Sequence, residues 1–242
     1  MSARLTAIFR YPIKALSGTA LDGADLVPGA GLPDDRRFAI GSGGAGTLWA
    51  TLERHPRLAA LETRYDAPTG LLTILRKGRP VARGRIDTPT GRMVVDQFLA
   101  AYLKGELPGL PHLAECPGGA FDVGEPAVSL LNLASVQDLE RRMVKAPLDP
   151  ARFRANLLID GFAAWAEASW PGRRIAIGTA VLEAFAPVER TEATNVEPGT
   201  GDRGLNVPMA LVRGTGRPHC GVHARVASAG RVQVGDEVRL LD

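Results

Sequence analysis

Arginines placed at the ends of apolar runs are the first candidates for chemistry in this sequence. Asp34-Asp35-Arg36-Arg37-Phe38 precedes one such run. Asp149-Pro150-Ala151-Arg152-Phe153-Arg154-Ala155-Asn156 leads into the most apolar run of the chain, and Pro187-Val188-Glu189-Arg190-Thr191 closes another. A guanidinium fork binds phosphate or carboxylate in bidentate fashion, and an Asn amide can donate to and accept from the edge of a heterocycle. Arginines where strands meet loops could converge on one anion at a barrel mouth. The alternative is that each pairs with a nearby Asp or Glu, and spacing alone favours that reading. A second candidate is His219-Cys220-Gly221-Val222-His223. In a regular strand His219 and His223 share a face and Cys220 lies on the other, so the three do not easily meet at one ion. Cys220 beside His219 could be a reactive thiol, since a neighbouring imidazolium lowers a thiol pKa. Spacing favours Cys220 as a small buried apolar residue.

Several standard sites are excluded by spacing. No GxxxxGK[ST] phosphate loop occurs, and no GxGxxG opens a helix after a strand. The glycines from Gly41 to Gly46 follow a short apolar run and read as a hairpin loop. Neither HExxH nor a paired CxxC is present, so a dedicated zinc site is not expected.

These residues must be positioned by short elements. Apolar runs at residues 5–9, 24–27, 37–40, 71–75 and 91–95, each bounded by Gly, Pro or Asp, predict strands. Residues 95–104 predict a helix, with Asp96 near its start and Gly105 as its stop. The stretch 108–119 is rich in Pro and Gly and reads as the boundary between two halves, 1–114 and 115–242. Residues 133–143 place Val136, Leu139 and Met143 on one helical face, with Ser135 as the expected cap and Asp138 as its box partner. Strands follow at 156–159, 175–177, 180–185, 220–226, 232–234 and 237–241. So many short strands with so few helices predict a mainly β, α+β protein built on a closed or nearly closed barrel.

Composition sets wide bounds. The 242 residues are 45% hydrophobic and 23% charged, the balance of a globular protein with a real core. A net charge of +3, without a basic run, excludes nucleic acid as a partner but suits a small anionic ligand. No secretory leader is read at the start and no apolar stretch approaches a membrane span, so no membrane partner is expected. Two distant cysteines exclude a disulfide framework and point to a reducing, cytoplasmic setting.

Taken together, the segments resemble a family. Tyr11-Pro12-Ile13-Lys14 and Gly31-Leu32-Pro33-Asp34-Asp35-Arg36-Arg37-Phe38 resemble the N-terminal β-barrel segment that accompanies MOSC domains (molybdenum cofactor sulfurase C-terminal domains). Residues 152–161 with Trp165-Ala166-Glu167 resemble the middle signature, 193–201 the loop after the metal-binding position, and 220–226 with 230–238 the final hairpin. The resemblance covers nearly the whole chain in order and extends to the mitochondrial amidoxime-reducing component and its bacterial relatives.

The resemblance implies a MOSC-type β-barrel with an N-terminal β-barrel-like domain, binding of the molybdenum cofactor (molybdopterin) and its metal, an association with pyridoxal phosphate binding, and reduction of N-hydroxylated or related N–O or S–O compounds. Carried over by position, Lys14, Arg36, Arg154, Asn156 and Arg190 match the residues that hold the cofactor. The metal-ligating Cys does not match: Thr191 follows Arg190. A thiolate is a soft anionic ligand, whereas a Thr hydroxyl is hard and neutral. Thr191 and Cys220 are therefore the two candidate catalytic positions, no metal ligand is assigned, and retention of molybdenum is in doubt. The Ser that usually follows the lysine is Ala15. No iron–sulfur spacing of the plant type occurs, so a reductase of this kind would need a separate electron-donor protein besides its small-molecule substrate. Two other classes stand beside it: a non-redox enzyme acting on a phosphorylated or carboxylated molecule, and a protein that binds the cofactor without catalysis.

Overall fold

The structure is a computed structural model that describes residues 2–43 and 48–241. In chain order the strands are β1 (Ala3–Arg10), β2 (Thr19–Leu21), β3 (Gly23–Leu26), β4 (Phe38–Ser42), β5 (Leu48–Trp49), β6 (Leu61–Asp66), β7 (Leu71–Arg76), β8 (Arg79–Arg85), β9 (His112–Glu115), β10 (Val128–Asn132), β11 (Leu157–Asp160), β12 (Arg174–Ile177), β13 (Ala180–Glu189), β14 (His219–Ser228), β15 (Gly230–Gln233) and β16 (Glu237–Leu241). Three α-helices interrupt them: α1 (Pro89–Tyr102), α2 (Leu133–Leu139) and α3 (Val207–Thr215).

The larger sheet runs β11-β10-β14-β13-β12-β16-β1-β2, and a further pairing of β11 with β1 closes seven of these strands into a barrel. Closure satisfies the backbone groups that an open edge would leave unpaired. Its interior holds Leu5, Ile8, Leu130, Leu157, Leu182 and Val222, all fully buried. A second apolar cluster joins two three-stranded sheets, β5-β4-β9 and β6-β7-β8, to the buried face of α1. β6 shows the alternation expected of a half-buried strand, with Leu61, Thr63 and Tyr65 inside and Glu62, Arg64 and Asp66 outside. Among the described residues no helix is long and apolar enough to cross a membrane.

Hydrogen bonds cross between the two halves of the chain. β1 lies in the C-terminal barrel between β16 and β11, and β3 pairs with β15. In the other direction β9 pairs with β4. β4 and β5, which flank the glycine-rich stretch, pair antiparallel; residues 44–47, where the expected hairpin loop falls, lie outside the described residues.

Two local expectations are corrected. Residues 91–95 are not a strand but the first turns of α1, which Thr88 caps by accepting from the Gly91 amide, with Pro89 at the first helical position. Gly91 is there because α1 lies directly on β8: a Cβ on Gly91 or Gly84 would collide with the backbone of the other segment. In α2 the cap is Asn132, which accepts from the Ala134 amide, rather than Ser135. Ser135 donates to Glu167 and accepts from the Trp165 amide, and Asp138 accepts from the Trp165 indole.

Candidate functional site

Four of the five cradle residues meet. Backbone pairing brings the first two together: the amides of Arg36 and Phe38 donate to Tyr11 and Pro12, and Lys14 donates back to Phe38. Arg154 arrives from the short turn before β11, and Arg190 from the end of β13. Lys14, Arg36, Arg154 and Arg190 line one cavity of about 310 Å³, together with Arg152, Asp122 and His223. Ala15, Arg36 and Arg154, all on its wall, have φ of 70°, 52° and 50°. Left-handed backbone at non-glycine residues carries strain of roughly 1–3 kcal/mol each and concentrates where a side chain must be aimed.

The cations of this cavity differ in how they are balanced. Lys14 donates to Asp122 at 2.6 Å, Arg36 pairs with buried Asp35, and Arg152 pairs with Glu197. Arg36 also lies between the rings of Tyr11 and Phe121, at 5.5 and 6.0 Å. Burial works against its charge, but Asp35 more than offsets this and its pKa is raised. Asp122 is the reverse case: burial favours its neutral form, and the hydrogen bond and charge of Lys14, with Arg36 and Arg154 beyond, outweigh burial and lower its pKa.

Arg154 and Arg190 have no carboxylate partner among the described residues. Arg154 donates to the Leu16 carbonyl and stacks on Tyr11 at 4.4 Å. Arg190 donates from Nε to the Cys220 carbonyl at 2.8 Å and from Nη1 to the Phe153 carbonyl at 2.7 Å, while its buried Nη2 has no partner. Burial pushes both guanidinium pKa values down to about 10. A backbone feature lets Arg190 lie so close to β14: Gly221 has φ +85°, and a Cβ there would stand 2.5 Å from the Leu130 carbonyl and 3.1 Å from Arg190 Nη2.

The remaining candidates fall elsewhere. Asn156 does not line this cavity but borders a small adjoining one with Arg36, Asp122 and His223. Its side-chain oxygen accepts from the amide and hydroxyl of Ser129, its side-chain nitrogen donates to the Phe9 carbonyl, and it thereby ties β1, β10 and β11 together. Cys220 is not among the residues that line the cavity. Its side chain sits in a third apolar cluster with Phe153, Leu158 and Leu211, and only its carbonyl serves the site, through Arg190. Burial pushes its thiol up to about 12 despite Arg190 nearby. Thr191 is exposed on the rim of the cavity, where its hydroxyl accepts from the Ala193 amide and caps a short 3-10 turn.

His223 lies on the face of β14 opposite the core residues Val222 and Ala224 and lines the cavity. Its ring stacks on Phe185, its Nδ1 is buried without a partner, and burial reinforced by Arg190 and Arg36 pushes its pKa down to about 4. Arg152 and Asp122 were also not singled out as site residues; Arg152 stood in a quoted motif, whereas nothing in the local sequence marks Asp122.

Two family models account for the chain. The MOSC domain model matches residues 112–239, and the MOSC N-terminal beta barrel domain model matches residues 2–106. The chain belongs to the MOSC domain family. No curated protein matches it. Among solved structures, the YuaD protein from Bacillus subtilis is 16% identical, with 99% of this chain and 96% of that one covered and a TM-score of 0.49. YiiM from Geobacillus stearothermophilus is 20% identical with a TM-score of 0.36, covering 48% of this chain and 54% of that one. YiiM from Escherichia coli is 19% identical with a TM-score of 0.35, covering the same shares. This MOSC chain thus spans about half the length of the YiiM proteins. The family is associated with the molybdenum cofactor, and the cavity offers the phosphate of such a group two unbalanced guanidiniums. It offers the metal no thiolate, and among the described residues no group of three or more His, Cys, Asp or Glu could hold an ion.

Proposed function

We propose that this MOSC protein binds the phosphate-bearing pterin part of the molybdenum cofactor, or a closely similar phosphate ester, without a sulfur bond to the metal. The observation that carries the reading is the pair Arg154 and Arg190: a half-buried and a buried cation bonded only to carbonyls, the buried one with a free nitrogen. Such charges are costly unless an anion balances them, and a phosphate accepts from two guanidiniums at once. Thr191 has a neutral hydroxyl already engaged as a cap, and the Cys220 thiol is packed in the core. The residues present therefore fit the phosphate and do not fit a metal–thiolate bond, and we assign the chain a binding role with no redox step. Pyridoxal phosphate would meet the same phosphate cradle, but Lys14 would have to leave Asp122 to condense with its aldehyde.

The test is metal, pterin and phosphate analysis of protein purified from a molybdenum-replete host. The expected result is a bound phosphate ester with molybdenum well below one equivalent, metal retention raised in Thr191→Cys and unchanged in Cys220→Ser. Near-stoichiometric molybdenum that disappears in Cys220→Ser, with turnover of an amidoxime by an artificial electron donor, would replace this reading with the reductase that the family resemblance implies. A bound phosphate ester or carboxylate without a pterin would instead favour the non-redox class.

A further inference from the structure

A second cavity, of about 160 Å³, lies beside the first. The two share Leu52, Arg152 and Arg154 as walls. The second is lined mainly by carbon: Phe9, Tyr11, Leu16, Ala59, Val196 and Pro198. Arg154 forms the partition between them. Its guanidinium is stacked on Tyr11 and bonded to the Leu16 carbonyl on the apolar side, while the same residue lines the cationic side. A closed apolar space of about 150 Å³ is large enough to take a benzene ring.

We infer that the two cavities form one bipartite site, in which the ligand's anionic group sits among Arg154 and Arg190 and a single compact ring attached to it enters the apolar compartment. The inference rests on the anion-binding reading above and narrows it: of the phosphate or carboxylate ligands that the arginines accept, the site selects one that carries a single aromatic or similarly flat ring over the fused rings of a pterin, a bare anion or a long chain. The apolar compartment then supplies selectivity, because the arginines alone accept any oxyanion of suitable size. Glu62 also lines the apolar compartment and could accept an N–H or O–H from the edge of the ring.

The experiment is calorimetric titration of the full chain with inorganic phosphate, phenyl phosphate, benzyl phosphate and phenethyl phosphate. Transfer of a phenyl ring from water to an apolar pocket strengthens binding by about tenfold to a hundredfold. At least one ring-bearing ester is expected to exceed inorganic phosphate by that factor. Ala59→Phe and Ala151→Phe, at two half-buried positions lining the apolar compartment, are expected to abolish the advantage while leaving affinity for inorganic phosphate unchanged. Inorganic phosphate that binds while no ester binds more tightly overturns the bipartite site and leaves the anion site standing. An advantage that survives both filling substitutions also overturns it. Failure of all four probes overturns the anion site and the inference with it.

Discussion

Replacing Arg154 by Met separates a binding residue from a structural one. Arg154 loses protonation free energy on folding: a depression from the usual arginine range to about 10 corresponds to roughly 3 kcal/mol against the charged form at neutral pH. The sign is clear. The unfolded chain holds this proton up to a higher pH than the folded chain, so the penalty is fully present below pH 10 and fades as pH rises above 10. Arg154→Met removes the charge, keeps an unbranched side chain over Tyr11 and leaves the Leu16 carbonyl without its donor. An unsatisfied buried carbonyl costs about 1–3 kcal/mol. The two effects nearly cancel, with a net gain of up to about 2 kcal/mol, so Tm is expected to stay level or rise by roughly 2–8 °C in a chain of this size. Anion binding should fall by about 1.5–3 kcal/mol, or roughly 10- to 150-fold, because a charge-assisted contact is lost. The assay is thermal melting with and without phosphate. A variant that melts several degrees lower and still shows the full phosphate-induced rise would refute the reasoning and make Arg154 structural.

Gly221→Ala should both weaken anion binding and destabilise the fold by about 2–4 kcal/mol, since a Cβ at φ +85° meets the Leu130 carbonyl and crowds Arg190; chemical denaturation and phosphate titration read the two effects. His223 has a folded pKa near 4 against 6.5 unfolded, so stability should fall as pH drops from 6.5 towards 4, and a bound anion should raise the folded pKa. His223→Asn should remove much of that pH dependence, and an imidazole NMR titration that gives an unshifted His223 would contradict the assignment.

Local sequence was enough to read most of the strands, because a half-buried strand carries its own record in alternation and in the turn residues that bound it. The family resemblance, rather than spacing, singled out Lys14, Arg36, Arg154, Asn156 and Arg190 as a group and marked Thr191 as standing where a thiolate is expected. α1 was half misread because Gly91 looks like a strand boundary when its contact with β8, the reason for a glycine there, is out of sight. What only the tertiary structure decided was which polar groups already have partners. Asn156 and the Cys220 thiol looked available in one dimension, yet Asn156 is bonded across three strands and Cys220 is packed against Phe153 and Leu211. Arg154 and Arg190, each with acids nearby in sequence, looked as though they would be neutralised and are not. His223 lines the cavity because its neighbours on β14, Val222 and Ala224, are taken by the barrel core. Whether a buried charge or amide is balanced depends on residues brought from far along the chain, and neither spacing nor composition records which ones arrive.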